Sequence, residues 1–252
     1  MRYFLLLRYY GGDFHGWQRQ PNATSVQQTI EDSLSTILRR KIEITGAGRT
    51  DTGVHASQMY AHLDIDDSVD QVQLLKSANR MVGRSIALDA LLPVKEDAHA
   101  RFDALSRTYS YYISLRKDPF NHNYSHFLPS LPDLEIMNEG GRILLNIDDF
   151  TSFAKLHADT KTNICRVTEA QWTYDSGNSM LRFTITADRF LRNMVRSIVG
   201  TLLDLGRGRI DLDGLKKIIE KKDRCEAGTS MPAKGLFLER IEYPRDIFID
   251  LP

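Results

Sequence analysis

Gly46-Ala47-Gly48-Arg49-Thr50-Asp51-Thr52-Gly53-Val54-His55-Ala56 sets three glycines, one arginine and one carboxylate within eleven residues. Glycine takes left-handed or crowded backbone conformations without steric penalty, so the run reads as a tightly folded loop. Lys41-Ile42-Glu43-Ile44-Thr45 ahead of it reads as a strand, and so does the chain from about Gln58 to Ile65. Two readings of Asp51 stand at this level. It is a turn carboxylate that caps backbone amides, or a reactive carboxylate whose neighbour Arg49 is a polyanion-binding cation.

Motifs that share parts of the run fit poorly. A dinucleotide fingerprint needs its third glycine earlier and a helix after it, whereas Val54 to Ile65 is strand-like. The Gly-Lys-Ser/Thr ending of a phosphate-binding P-loop is absent. Asp51-Thr52-Gly53 matches the aspartic-protease tripeptide, and Asp175-Ser176-Gly177 offers a second copy. That chemistry needs two carboxylates sharing a proton. Asp175 lies between two alternating strands, where a hairpin turn explains it, and Arg49 would hold Asp51 ionised.

Outward from the loop, helices and strands are mixed. Arg2–Tyr10 is strand-like and is broken by Gly11-Gly12-Asp13. A helix is expected from Thr24, capped by its own hydroxyl with Gln27 three residues on, and carrying Val26, Ile30, Leu34, Ile37 and Leu38 at helical spacing. Val72, Leu75, Ala78 and Val82 predict a second helix, and Ile86–Val94 a strand. In the second half, Thr108–Leu115 is a tyrosine-rich strand and Leu128–Asp133 a loop. A helix is expected over about Asp148–Leu156. Ile164–Tyr174 and Ser179–Ala187 form a hairpin through Asp175-Ser176-Gly177-Asn178. Leu212–Lys222 predicts a helix and Gly235–Tyr243 a closing strand. Mixed elements with hairpins favour α+β over a doubly wound parallel fold. A division near residue 105 gives halves 1–105 and 106–252.

One further helix is expected over Phe190–Leu205, stopping at Gly206. Phe190, Met194, Ile198, Leu202 and Leu205 share one side, and Arg189, Arg192, Asn193, Arg196 and Gly200 the other. A solvated polar face is the plain reading. Gly200 weighs against it, because a mid-helix glycine costs about 1 kcal/mol relative to alanine. Its place on the arginine stripe predicts close approach of another group to that face. Residues 182–224 carry eleven Lys or Arg against six Asp or Glu, a local surplus of five suited to phosphate.

Composition bounds the rest. The 252 residues carry 33 basic and 33 acidic side chains, so only local distribution bears on partners. The two cysteines, Cys165 and Cys225, lack the spacing of a disulfide framework or zinc site and fit a reducing cytoplasm. The apolar run Phe4–Leu7 is too short for a signal-peptide core or a membrane span.

Taken whole, Gly46–Ala56 resembles the signature of the TruA family of tRNA pseudouridine synthases. Tyr9–Gln28 (YYGGDFHGWQRQPNATSVQQ) resembles that family's first segment. Arg101-Phe102 followed by Arg107-Thr108-Tyr109-Ser110-Tyr111 resembles its tyrosine segment, and Asp149–Phe153 another block. FLRNMVRSIVG at 190–200 resembles its arginine helix, and Ala233–Pro244 its closing strand. Two departures stand out: Thr52 replaces a common alanine, and no Leu-Pro pair accompanies Asn79-Arg80-Met81-Val82.

The resemblance implies isomerisation of uridine to pseudouridine in the anticodon arm of tRNA, at positions 38, 39 and 40. By the same resemblance Asp51 is the catalytic carboxylate, Tyr109 supports the target base, and Arg196 pairs with Asp51. Arg49 helps hold the extruded nucleotide, while Arg189, Arg192, Arg207 and Arg209 are candidates for phosphate contacts. The implied fold is two α/β halves joined in one extended, mostly antiparallel sheet with a central active cleft. A homodimer, a tRNA partner, no membrane, no metal and no cofactor are expected. The alternative is a tRNA-binding or folding module without catalysis.

Overall fold

The computed structural model describes residues 1–66, 69–155 and 161–249. These fold into two compact units, Met1–Leu105 with Leu238–Pro252, and Ser106–Phe237. Among the described residues, no helix is long and apolar enough to cross a membrane.

The first unit begins with β1 (Arg2–Tyr9) and α1 (Val26–Leu38), followed by the two-residue β2 (Thr45–Gly46) and β3 (His55–Asp64). Then come α2 (Gln71–Met81) and β4 (Ile86–Pro93). β1 pairs antiparallel with both β3 and β4, and β2 with β3. Phe4 and Leu5 are both buried, so β1 is covered on both faces. On one face the Tyr3 hydroxyl accepts a bond from Gln71 of α2 (3.1 Å). On the other, Phe4 packs edge-on against Tyr243 and Phe248, with ring centroids at 5.1 and 5.9 Å.

The second unit opens with β5 (Ser106–Ser114) and the short β6 (His126–Phe127), which pair in parallel. After α3 (Leu134–Leu144), β7 (Val167–Asp175) and β8 (Met180–Ala187) form an antiparallel hairpin, and β8 also pairs with β5. α4 (Met194–Gly206) and α5 (Leu212–Lys221) follow. Alternation along the strands buries Tyr111, Ile113, Leu181, Phe183, Ile185 and Trp172. The amide of Asn138 in α3 exchanges two hydrogen bonds with the backbone of Trp172 (2.8 and 3.2 Å), which ties that helix to β7. β9 (Leu236–Glu242) carries the chain back to the first unit, where it lies beside β3.

Several expectations change. Residues 238–249 join the first unit and not the second half, because Tyr243 and Phe248 complete the cluster on Phe4 and the Ile241 amide donates to Gln58 (2.8 Å). Ser25 and not Thr24 caps α1, accepting from the Gln28 amide at 3.2 Å, a cap of about 1 kcal/mol. On α2, Ala78 and Val82 of the expected face are buried, but Leu74 is buried in place of Leu75 and Val72 is exposed. The helix expected over 148–156 is a single 3-10 turn at Thr151–Phe153, and its expected end at Leu156 lies outside the described residues. The strand expected over 41–45 is reduced to Thr45–Gly46. α3 had no counterpart in the sequence reading.

Candidate active site

The Asp51 loop is held mainly by the chain between Tyr9 and Trp17. The Trp17 amide donates to the Thr50 carbonyl (3.2 Å), and the Gly53 amide to the Phe14 carbonyl (3.4 Å). The Tyr9 hydroxyl and Thr50 Oγ1 lie 2.8 Å apart in the interior. The loop closes on itself through a bond from the Val54 amide to the Asp51 carbonyl (3.1 Å). At its far end, His55 Nδ1 accepts from the Gly11 amide (2.9 Å), and its ring stacks on Tyr10 at 5.0 Å. That hydrogen bond requires an unprotonated Nδ1.

Gly16 makes this contact possible for two reasons. Its φ of +91° is unfavourable for any residue with a Cβ, and a Cβ there would stand 2.6 Å from the Thr50 carbonyl oxygen. The result is a half-buried Asp51 on a loop fixed at Thr50, Gly53 and His55, with Arg49 exposed beside it. The loop is legible in the sequence, but its cradle of Tyr9, Phe14, Gly16 and Trp17 is not. The only sequence signal was the position of these residues within the Tyr9–Gln28 segment.

Tyr109 and Arg196 belong to the second unit. Tyr109 is half-buried on β5, opposite Ile185 of β8, and its ring meets Phe190 edge-to-face at 5.0 Å. Arg196 is half-buried in the first turn of α4. Its Nε–H donates to the Met231 carbonyl, and its own carbonyl accepts from the Met231 amide (3.1 Å). The guanidinium also acts on Tyr111, whose phenol burial pushes well up and Arg196 partly draws back. Tyr111 donates in turn to the Pro232 carbonyl (2.8 Å), so Arg196, Tyr111 and the 231–232 backbone form one local network.

The expected arginine stripe is corrected here. α4 starts at Met194, after Asn193 at φ +66°, so Phe190, Arg189, Arg192 and Asn193 lie outside the helix. Gly200 is buried, and what approaches it is the protein itself. A Cβ there would stand 1.9 Å from the Thr229 carbonyl oxygen. The segment 228–232 therefore straps one side of α4, with the Gly228 amide bonded to Thr201 Oγ1 at 2.9 Å. Of the other arginines, Arg189 is half-buried, and Arg192, Arg207 and Arg209 are exposed. Arg209 is paired with Asp204 at 2.9 Å.

Asp175 is a turn carboxylate. It accepts from the Gly177 and Asn178 amides (2.9 and 3.3 Å) and from the Asn178 side chain (2.7 Å). These bonds, the Asn178 side chain first, hold its carboxyl below the usual carboxylate range. With its oxygens committed to its own turn, it offers no shared-proton dyad.

A family model described as tRNA pseudouridine synthase matches residues 147–244. The tRNA pseudouridine synthase A of Bacteroides thetaiotaomicron is 53% identical over 98% of this chain and 92% of its own length. That of Parabacteroides distasonis is 52% identical over 98% of each chain. The enzyme of the same name from Aliivibrio fischeri is 35% identical over 97% of this chain and 93% of its own.

Proposed function

This chain belongs to the tRNA pseudouridine synthase family, and from that premise we propose how its residues share the chemistry. The protein isomerises uridine to pseudouridine in tRNA. In that reaction the N1–C1′ glycosidic bond breaks, the detached uracil turns, and C5 bonds to C1′. The proton leaves C5, and N1 gains one. Composition of the RNA is unchanged, and electrons balance without an oxidant or reductant.

Asp51 acts at the sugar. Its carboxylate either adds to C1′ or removes a sugar proton as a base. Arg196 supplies the cation that favours the ionised carboxylate. Tyr109 supports the uracil with its ring, and its hydroxyl is available for the proton transfer at C5. A uridine within a stem must first leave the stack, at a cost of a few kcal/mol. Arg49, exposed beside Asp51, offsets that cost by holding the extruded nucleotide. Arg189, Arg192 and Arg207 add phosphate contacts, and Arg209 does so less strongly because Asp204 already engages it. The uridines acted on are those at positions 38, 39 and 40, and the working form is a homodimer.

The observation that carries this reading is the mounting of Asp51. A half-buried carboxylate sits on a loop gripped through Thr50, Gly53 and His55, as a group with a fixed approach to substrate requires. Mapping pseudouridine in tRNA incubated with the pure protein and no added cofactor tests the site. Conversion is expected in the anticodon arm, and conversion elsewhere would overturn that assignment. With Arg196→Ala, turnover is expected to fall roughly a hundredfold or more, while loss of its bond to the Met231 carbonyl costs about 1 kcal/mol in stability. Turnover equal to the parent's would remove Arg196 from the chemistry.

A further inference from the structure

Residues 98–105 form a turn in the first unit whose backbone is tied down by side chains from several directions. The Ala100 amide donates to His62 Nδ1 on β3 (3.1 Å). The Arg101 and Phe102 amides both point at His99 Nδ1 (3.1 and 3.3 Å). The His99 amide donates to the Asp103 carboxylate (2.7 Å). Arg2 of β1 donates to the Ala98 carbonyl (3.2 Å), and the Tyr243 hydroxyl to the Ala100 carbonyl. The two imidazoles meet edge-on at 4.5 Å, and burial leads the causes that push both below the ordinary histidine range. Both rings are therefore neutral near pH 7 and able to accept those amides.

What this scaffold presents is Arg101 and Phe102, both exposed, with Phe102 at 73% of its accessible surface. The guanidinium lies over the Phe102 ring at 5.7 Å, and His99 backs that ring at 4.2 Å. A phenylalanine held rigidly in water buries no core. It loses side-chain entropy and gains little in return. A preorganised aromatic face with a cation beside it suits a nucleotide. The ring stacks on a base of any sequence, and the guanidinium meets the neighbouring phosphate.

We propose that the Arg101–Phe102 turn is a tRNA-binding element, Phe102 stacking on a base and Arg101 engaging the adjoining phosphate. The inference rests on the tRNA reading above and adds a contact outside the Asp51 loop. Neutral histidines hold the turn in shape, so binding does not have to order it first, and the entropy of ordering is already spent in the free protein.

The test uses the full chain, unmodified tRNA and three variants: Phe102→Ala, Phe102→Trp and Arg101→Gln. Phe102→Ala is expected to raise the tRNA Kd roughly ten- to hundredfold, with a melting temperature close to the parent's. Phe102→Trp, which keeps a stacking face, restores binding. Arg101→Gln makes the dependence of log Kd on log salt shallower by about 0.7–0.9, the loss of one phosphate contact. Parental Kd for Phe102→Ala together with a parental salt slope for Arg101→Gln overturns the proposal. So does a change in oligomeric mass at unchanged tRNA affinity, which would make the patch a protein contact. Pseudouridine formation by the parent is followed in the same samples. Its absence would sink the proposed function, whereas an active parent with normally binding variants sinks only this inference.

Discussion

Asp51-Thr52-Gly53 and Asp175-Ser176-Gly177 are nearly the same tripeptide, and the molecule holds them in different ways. Asp175 sits at an exposed hairpin tip and spends its carboxylate on the Gly177 and Asn178 amides of its own turn. Asp51 is half-buried, and its loop is fixed from outside by Tyr9, Phe14 and Trp17 through Thr50 and Gly53. A carboxylate that builds its own turn has little left to offer a substrate. One mounted on a loop that others hold can be aimed. The difference lies in the neighbours and not in the motif.

The largest expected effect tests that difference directly. Asp51→Asn should lower pseudouridine formation by roughly a thousandfold or more while tRNA binding and melting temperature stay near the parent's. Asp175→Asn, assayed beside it, should retain parental activity. Equal losses in the two variants, or none in the first, would break the contrast.

The glycines give the next largest effect. Alanine at Gly16 must tolerate a φ of +91° and a Cβ 2.6 Å from the Thr50 carbonyl, which is backbone and cannot swing aside. Gly16→Ala should cost about 2–4 kcal/mol and reduce turnover by displacing the Asp51 loop. At Gly177 the closest approach is the Asp175 carboxylate at 3.3 Å, so Gly177→Ala should stay within about 0.5 kcal/mol of the parent. Denaturant unfolding of both variants decides, and a Gly16→Ala protein as stable and active as the parent would refute the cradle.

How much of this the sequence discloses depends on the range of the interaction. Local chemistry was readable: the Asp175 turn, the strands on either side of it, and α5 from Leu212 all follow from periodicity and turn residues. The family followed from the length of the Gly46–Ala56 run and the order of the other blocks. Long-range contacts were not readable. Gly200 pointed correctly to a close approach, but nothing in its helix says that Thr229 makes it. The start of α4 was misplaced because Phe190 and Leu191 continue the apolar pattern, whereas Asn193 adopts a left-handed conformation that breaks the helix. The return of 238–249 to the first unit depends on Phe4 meeting Tyr243 and Phe248, residues more than two hundred positions away.

Acid should reach the two regions in different windows, which sharpens the comparison. The first unit leans on neutral imidazoles, and His62 is pushed down to about 4, chiefly by burial, with His99 and Arg2 adding repulsion. Its folded value lies below its unfolded value near 6.5, so the unfolded chain takes up the proton first. The stability this group contributes is complete above pH 6.5 and declines as pH falls toward 4. Allowing for its partial exposure, the loss is on the order of 2 kcal/mol. His62→Asn can still offer an acceptor to the Ala100 amide but does not titrate. It should flatten unfolding free energy between pH 6.5 and 4, and a slope equal to the parent's would show that another group sets it.

Asp175 provides the smallest effect and the cleanest control. Its folded carboxyl lies below the ordinary value of 3.8, through Asn178 first and then the turn amides. Its stabilising contribution is therefore present above 3.8 and is lost only as pH falls through the lower folded value. Asp175→Asn keeps an oxygen acceptor for the Gly177 amide, so at neutral pH it should change stability less than either glycine variant. Near pH 3 the parent should lose slightly more stability than this variant, while between pH 4 and 6.5 the two curves should run parallel. Curves that separate in that upper window would mean the hairpin is coupled to the histidines, and the two tripeptides could no longer be treated as independent uses of one motif.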